Sequence, residues 1–203
     1  MRYTIRVALT VALGGFLMGF DASVISGVVT FIEPEFDLTK IELGWSVASL
    51  TLTATLAMMV SGPLSDRLGR RPVLKIAAVL FAISAVASAV APSFNTLVAA
   101  RMLGGFGVGA ALIIAPMYIA EIAPATMRGR MVSFNQLNIV IGISAAFFTN
   151  YLILRSGQSD LAWAEALRLA EWNWRWMLGV EALPAIFYFL ALFAVPESPR
   201  WLL

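Results

Sequence analysis

Two charged side chains stand inside long apolar runs: Asp21, within residues 6–32, and Arg101, within residues 95–119. Each costs about 2.5–3.5 kcal/mol in hydrocarbon on insertion scales, so neither is there for solubility. At about 1.5 Å rise per helical residue, Asp21 lies roughly 16 Å from the outer end of its run and Arg101 roughly 10 Å from the outer start of its own. An arginine side chain can bridge that difference. The chemistry open to such a pair is proton exchange. Burial disfavours an ionised carboxyl and a nearby guanidinium favours it, so a movement that separates the two drives proton uptake. A permanent ion pair that ties two helices together is the other reading, and the residues leave both open. Glu181, early in a later apolar run, is a second buried carboxyl. It reads first as a group facing the outer cavity, and second as another partner for Arg101.

Other polar groups in the apolar runs are uncharged: Gln136, Asn138, Ser144 and the series Ser46, Ser49, Thr51, Thr53, Thr55. Serine and threonine in such helices mostly bond their own backbone. A buried amide needs several partners, and the hydroxyls of a polyhydroxy ligand, both donor and acceptor, would suit Gln136; a helix–helix hydrogen bond is the alternative. The run Gly104-Gly105-Phe106-Gly107-Val108-Gly109 superficially matches a dinucleotide fingerprint, but no strand precedes it. Its small residues serve close helix approach instead. Histidine and cysteine are absent, which removes the commonest general base, the commonest metal ligand and any thiolate. No enzymatic role, metal or cofactor is expected.

The elements that position these groups follow from composition. A chain of 203 residues that is 60% hydrophobic and 13% charged exceeds what a soluble domain can bury. Six apolar spans can be read, roughly 6–32, 43–64, 72–91, 95–119, 131–154 and 176–195. The expected fold is an all-α, multi-pass transmembrane six-helix bundle. Arg2 and Arg6 ahead of an apolar run mimic a signal peptide, but the run is too long and lacks a small-residue cleavage pattern. With the N-terminus inside, nine basic residues (Arg2, Arg6, Arg67, Arg70, Arg71, Lys75, Arg128, Arg130, Arg200) fall on the cytoplasmic side and four (Lys40, Arg155, Arg168, Arg175) outside. Both termini are therefore expected in the cytoplasm of a cell (inner or plasma) membrane. Trp45, Trp172, Trp174 and Trp176 then lie at the outer interface and Trp201 at the inner one. Gly62 to Arg71 reads as a tight charged turn, and 155–175 as an outer connector with a short amphipathic helix. The net charge of +2 comes from loop arginines and lysines, so no nucleic-acid partner is implied. Basic loops after the second and fourth spans give a faint three-plus-three repeat.

Several motifs converge on one family. Gly14-Gly15-Phe16-Leu17-Met18-Gly19-Phe20-Asp21 and Val24-Ile25-Ser26-Gly27 resemble the first helix of sugar porters of the major facilitator superfamily. Gly62 to Arg71 resembles that superfamily's loop between helices two and three. Arg101 to Gly109, Pro116-Met117-Tyr118-Ile119-Ala120-Glu121, Arg128-Gly129-Arg130 and Phe134-Asn135-Gln136 resemble helices four and five. Pro196-Glu197-Ser198-Pro199-Arg200-Trp201-Leu202 resembles the sugar-porter signature after helix six. The resemblance implies the N-terminal half (1–203) of a proton-coupled sugar transporter that works by alternating access, completed by a C-terminal six-helix half or by a second copy of the chain. Its partners would be a hexose- or pentose-type sugar, a proton and membrane lipid. A passive facilitator, a porter of another polyhydroxy solute, and a non-transporting half acting as sensor or interaction protein are the rivals.

Roles carry over by position. Asp21 matches a proton-coupling aspartate and Arg101 its partner, with Glu181 added as a third member. Gln136 matches a sugar-binding glutamine. Ile143 stands where xylose-type symporters have a second glutamine, and Met18 and Phe20 stand where aromatic residues are common, so pentose specificity stays open. Asp66, Arg70, Glu121, Arg128, Glu197 and Arg200 match a cytoplasmic charge network that latches the outward-open state.

Overall fold

The computed structural model describes residues 2–159 and 162–202; Met1, Asp160, Leu161, Leu203 and the side chains of Arg2 and Tyr3 lie outside the described residues. The Arg2 side chain counted above and the middle of the 155–175 connector fall among these. Every regular element among the described residues is a helix: α1 (Arg2–Glu35), α2 (Lys40–Leu68), α3 (Arg70–Ala89), α4 (Phe94–Ile122), α5 (Arg128–Gly157), α6 (Ala162–Ala166), α7 (Asn173–Gly179) and α8 (Ala182–Ala191). The first five are each long and apolar enough to cross a membrane.

Helix limits follow local chemistry more than hydropathy. Thr39 opens α2 with a capping box: its hydroxyl accepts the Glu42 N–H and the Glu42 carboxylate accepts the Thr39 N–H at 2.9 Å. Ser93 and Thr96 open α4 the same way. The charged stretch from Gly62 was expected to be a turn, yet α2 runs through Pro63 to Leu68. Charge does not stop a helix; the break comes at Gly69, whose φ of 98° and ψ of 161° suit glycine almost alone.

The sixth span, expected as one helix over 176–195, is two pieces. Val180 and Glu181 keep helical dihedrals (−60°, −27° and −59°, −26°), so the path continues while the hydrogen-bond ladder lapses. Pro184 is the cause: it has no N–H to offer the Val180 carbonyl, which is taken instead by the Leu183 N–H at 3.1 Å. The expected amphipathic helix of the connector is the five-residue α6, held by buried Ala164.

Two close helix pairs organise the bundle, α1 with α5 and α2 with α4. Bare glycines make both possible. A β-carbon at Gly19 would stand 2.1 Å from the Ile139 carbonyl oxygen, and one at Gly109 would stand 2.2 Å from that of Ala54. A rotation that carries the first three crossings onto the last three exchanges these two pairs, which is the three-plus-three repeat in contact form. α1 and α4 are the central helices, with 61% and 67% of their apolar windows buried, against 33% for α2 and 22% for α5.

The antiparallel pair formed by α3 and the α7–α8 crossing is clasped at both ends. Arg71, at the start of α3, donates to the Leu192 and Phe193 carbonyls at 3.0 and 2.9 Å, at the tail of α8. Arg175, near the start of α7, donates to the Ala89 and Ala91 carbonyls at 3.1 and 2.9 Å, at the tail of α3. Each arginine answers the unpaired carbonyls of the other helix's last turn.

Apolar packing falls into two cores. One, toward the Arg70 end, includes Leu17, Phe81, Val108, Ile114 and Tyr188. The other, toward the Trp174 end, includes Phe20, Val24, Leu97, Ala146 and Met177. Asp21, Arg101 and Glu181 occupy the positions along α1, α4 and the α7–α8 joint where one core gives way to the other.

Candidate functional site: a buried charge cluster and a charged joint

Asp21 and Arg101 meet as read from the sequence. Arg101 Nη1 lies 3.3 Å from Asp21 Oδ1, and Nη2 lies 3.4 Å from the Asp21 backbone oxygen. Both residues are 2% exposed and Glu181 is 3% exposed. These contacts are long for a charge-assisted pair. Several atoms of the cluster have no hydrogen-bond partner among the described residues: Asp21 Oδ2, Arg101 Nε and Glu181 Oε1. Glu181 sits at the helix joint that Pro184 creates and feels the charges of both Asp21 and Arg101. Two acids and one base are thus enclosed together. This is a bundle interior with spare bonding capacity, unlike a fully satisfied structural ion pair.

Gln136 is exposed on α5, and Ile143, two turns further along the same face, is half-buried. Met18 is half-buried on α1. Phe20 is different: at 3% exposure it belongs to the Trp174-end core, its ring 6.1 Å from that of Phe16. Phe20, grouped by resemblance with Gln136, Ile143 and Met18, packs in that core here.

At the other end of the bundle, four of the six expected network residues gather around the Gly69 break. Arg70 Nη2 lies 2.9 Å from Glu121 Oε1, and Arg70 Nη1 lies 2.9 Å from Asp66 Oδ1. Glu197 accepts the backbone N–H groups of Arg70 and Arg71, with no guanidinium on it among the described residues. Arg128 and Arg200 are exposed and border, with Arg70, Met117, Ala120 and Glu121, an open cleft. Residues not assigned to the network in the sequence complete the joint. The Ser198 hydroxyl donates to Glu121, the Ser65 carbonyl accepts from Arg70 at 3.0 Å, and Trp201 Nε1 donates to the Asp66 carbonyl at 2.9 Å. Gly69, between Leu68 and Arg70, was the one sequence signal for the break, since glycine punctuates local structure.

A model of the family described as "Sugar (and other) transporter" matches residues 7–203. The chain belongs to that family. Among sugar transporter relatives, it is 40% identical over 202 residues to the arabinose-proton symporter of Bacillus subtilis, covering 100% of this chain and 42% of the relative. It is 40% identical over 228 residues to the D-xylose-proton symporter of Escherichia coli K12, covering 99% of this chain and 45% of the relative. The fold matches that of the major facilitator superfamily proton:xylose symporter XylE bound to 6-bromo-6-deoxy-D-glucose, with a TM-score of 0.89 at 39% identity, over 99% of this chain and 46% of that one. The chain spans a little under half the length of these relatives. It is an all-α, multi-pass integral membrane protein with the N-terminal-half architecture of a sugar porter.

Proposed function

We propose that this chain is the N-terminal half of a proton-coupled sugar transporter that works by alternating access. The observation that carries the reading is the buried cluster of Asp21, Arg101 and Glu181. Two carboxyls and one guanidinium sum to zero only while one carboxyl holds a proton, and excess charge inside a membrane bundle is expensive. A cluster that must gain or lose a proton when its geometry changes is suited to coupling. The relatives named as arabinose-proton and D-xylose-proton symporters support that use.

Sugar would meet this half at Gln136, with Ile143 and Met18 beside it, and the remaining contacts would come from a second six-helix half or a second copy of the chain. The Arg70 end would face the cytoplasm, since it gathers Arg67, Arg70, Arg71, Arg128 and Arg200. There Asp66, Arg70, Glu121, Arg128, Glu197 and Arg200 would set the balance between outward-open and inward-open states. Arg128 and Arg200, which make no ion pair among the described residues, leave that balance open to acidic groups of the completing half.

The test is transport by the complete gene product in proteoliposomes. An imposed inward proton gradient should drive accumulation of one or more members of a pentose and hexose panel above the external concentration. Equilibration without accumulation would establish a passive facilitator instead. Absence of any saturable uptake or sugar binding would favour a sensor or interaction role.

A further inference from the structure

The free oxygen of Asp21 points at a bare stretch of backbone. A β-carbon placed on Gly104 of α4 would stand 3.1 Å from Asp21 Oδ2 and 2.5 Å from Ser84 Oγ of α3. Ser84 is 5% exposed, and Oδ2 is one of the buried polar atoms with no hydrogen-bond partner among the described residues. Glycine at 104 therefore leaves a carboxyl on α1 facing a hydroxyl on α3 across bare backbone, although α1 and α3 hardly touch elsewhere. Ser88 lies one turn beyond Ser84 on the same buried face of α3, toward its Ala89 end.

We infer that Ser84 is a proton-relay residue for Asp21, acting across the bare backbone of Gly104 and passing the proton along α3 toward Ser88. This rests on the proton-coupled reading above and deepens it by naming a path. No direct hydrogen bond joins the two side chains, so one water molecule completes the step; such a water needs two or more polar partners, and Asp21 Oδ2 and Ser84 Oγ supply them. In the release direction the Oδ2–H bond breaks and the proton moves to the water. The water gives a proton to the Ser84 lone pair as Ser84 passes its own hydrogen to the Ser88 hydroxyl, which releases its own to water at the Ala89 end of α3. Ser84 ends as a neutral hydroxyl, and Asp21 is left as a carboxylate beside Arg101. The charged or titratable groups facing Asp21 are Arg101 from α4 and Glu181 from the α7–α8 joint; α5 faces α1 with Asn135, Ile139 and Asn150, which carry no charge. Arg101 holds the oxygen on the other side of the carboxyl, which leaves Oδ2 as the exchanging one.

The experiment uses the complete gene product, purified in detergent, with a pH-indicator dye and stopped-flow mixing with a transported sugar. Ser84→Ala should slow proton uptake or release by roughly two- to tenfold, the fold equivalent of one lost hydrogen bond. Proton stoichiometry and sugar affinity should stay at the parent values. Ser84→Thr, which keeps the hydroxyl, should restore the rate. Gly104→Ala covers the bare backbone and should slow the proton step as well, in protein whose sugar binding is intact. An unchanged proton rate in Ser84→Ala overturns the relay. So does a loss of sugar affinity equal to the loss of rate, or a failure of threonine to rescue, since either marks Ser84 as a packing residue. A parent protein that binds sugar and moves no proton overturns the symport reading itself, and the relay with it; that result appears before any variant is made.

Discussion

Glu197 caps the first turn of α3: its carboxylate accepts the Arg70 N–H at 2.9 Å and the Arg71 N–H at 3.2 Å, across 127 and 126 residues of sequence. An anion at the positive end of a helix satisfies orphan donors and the helix dipole together. The segment after the sixth crossing is thereby pinned to the joint between the second and third. Any conformational role for Glu197 passes through this cap.

Removing the cap should loosen the joint. Glu197→Ala should lower stability by about 0.5–2 kcal/mol, the usual cost of a lost cap, and Glu197→Gln should cost less because an acceptor oxygen remains. Thermal unfolding in detergent reads the difference. In the complete gene product, Glu197→Ala should also raise labelling of single cysteines introduced on the inward-facing side of these 203 residues, which have none of their own. Equal labelling of variant and parent from both sides would confine Glu197 to a structural role.

Gly69→Ala should be worse than its size suggests. The backbone there lies in a region that alanine enters at about 1–3 kcal/mol, and the new β-carbon would stand 2.6 Å from Glu197 Oε2. The expected result is a lower unfolding temperature, with no additional loss when Glu197→Ala is combined with it. Full additivity of the two substitutions would separate Gly69 from the cap.

Asp21→Asn should abolish uphill accumulation and leave exchange largely intact. The amide keeps the shape that meets Arg101 while losing the ability to bind and release a proton. Accumulation under an imposed pH gradient, measured beside counterflow, decides it. A variant that still accumulates sugar would remove Asp21 from coupling and return the pair to a structural tie.

Gln136→Ala should weaken sugar binding several-fold, the equivalent of one neutral hydrogen bond at about 0.5–1.5 kcal/mol. The side chain is exposed on α5 and supports no part of either core, so stability should be unaffected. Titration with a panel of pentoses and hexoses reads affinity and preference together. Unchanged constants throughout would make Gln136 a bystander.

Asp21 and Arg101 were legible in the sequence because a charge in a long apolar run is its own signal, and the rise per residue sets its depth. Five of the six crossings were legible for the same reason. Other features were hidden because they depend on atoms that hydropathy does not weigh. The sixth crossing lost its ladder to one missing N–H at Pro184, a single residue inside an otherwise convincing run. Phe20, grouped by resemblance with Gln136, packs in the Trp174-end core with Val24 and Ala146. Glu197 was read as one member of a charge network by resemblance, and its backbone partners, the Arg70 and Arg71 N–H groups, gave no sign in the sequence. Ser84 gave no signal at all, since a serine in a membrane helix is ordinarily satisfied by its own backbone. Only the bareness of Gly104 reveals what it faces.

The reciprocal clasps of Arg71 and Arg175 make α3 and the sixth crossing a matched pair of rulers. Each arginine grips the far end of the other's helix, so the two must keep matched lengths for both clasps to hold. An insertion or deletion in one would release a clasp unless the other changed with it. Length variation along this strut should therefore arise only in pairs. Its span, set by protein contacts, is a length to which the surrounding bilayer must adapt by thinning or thickening.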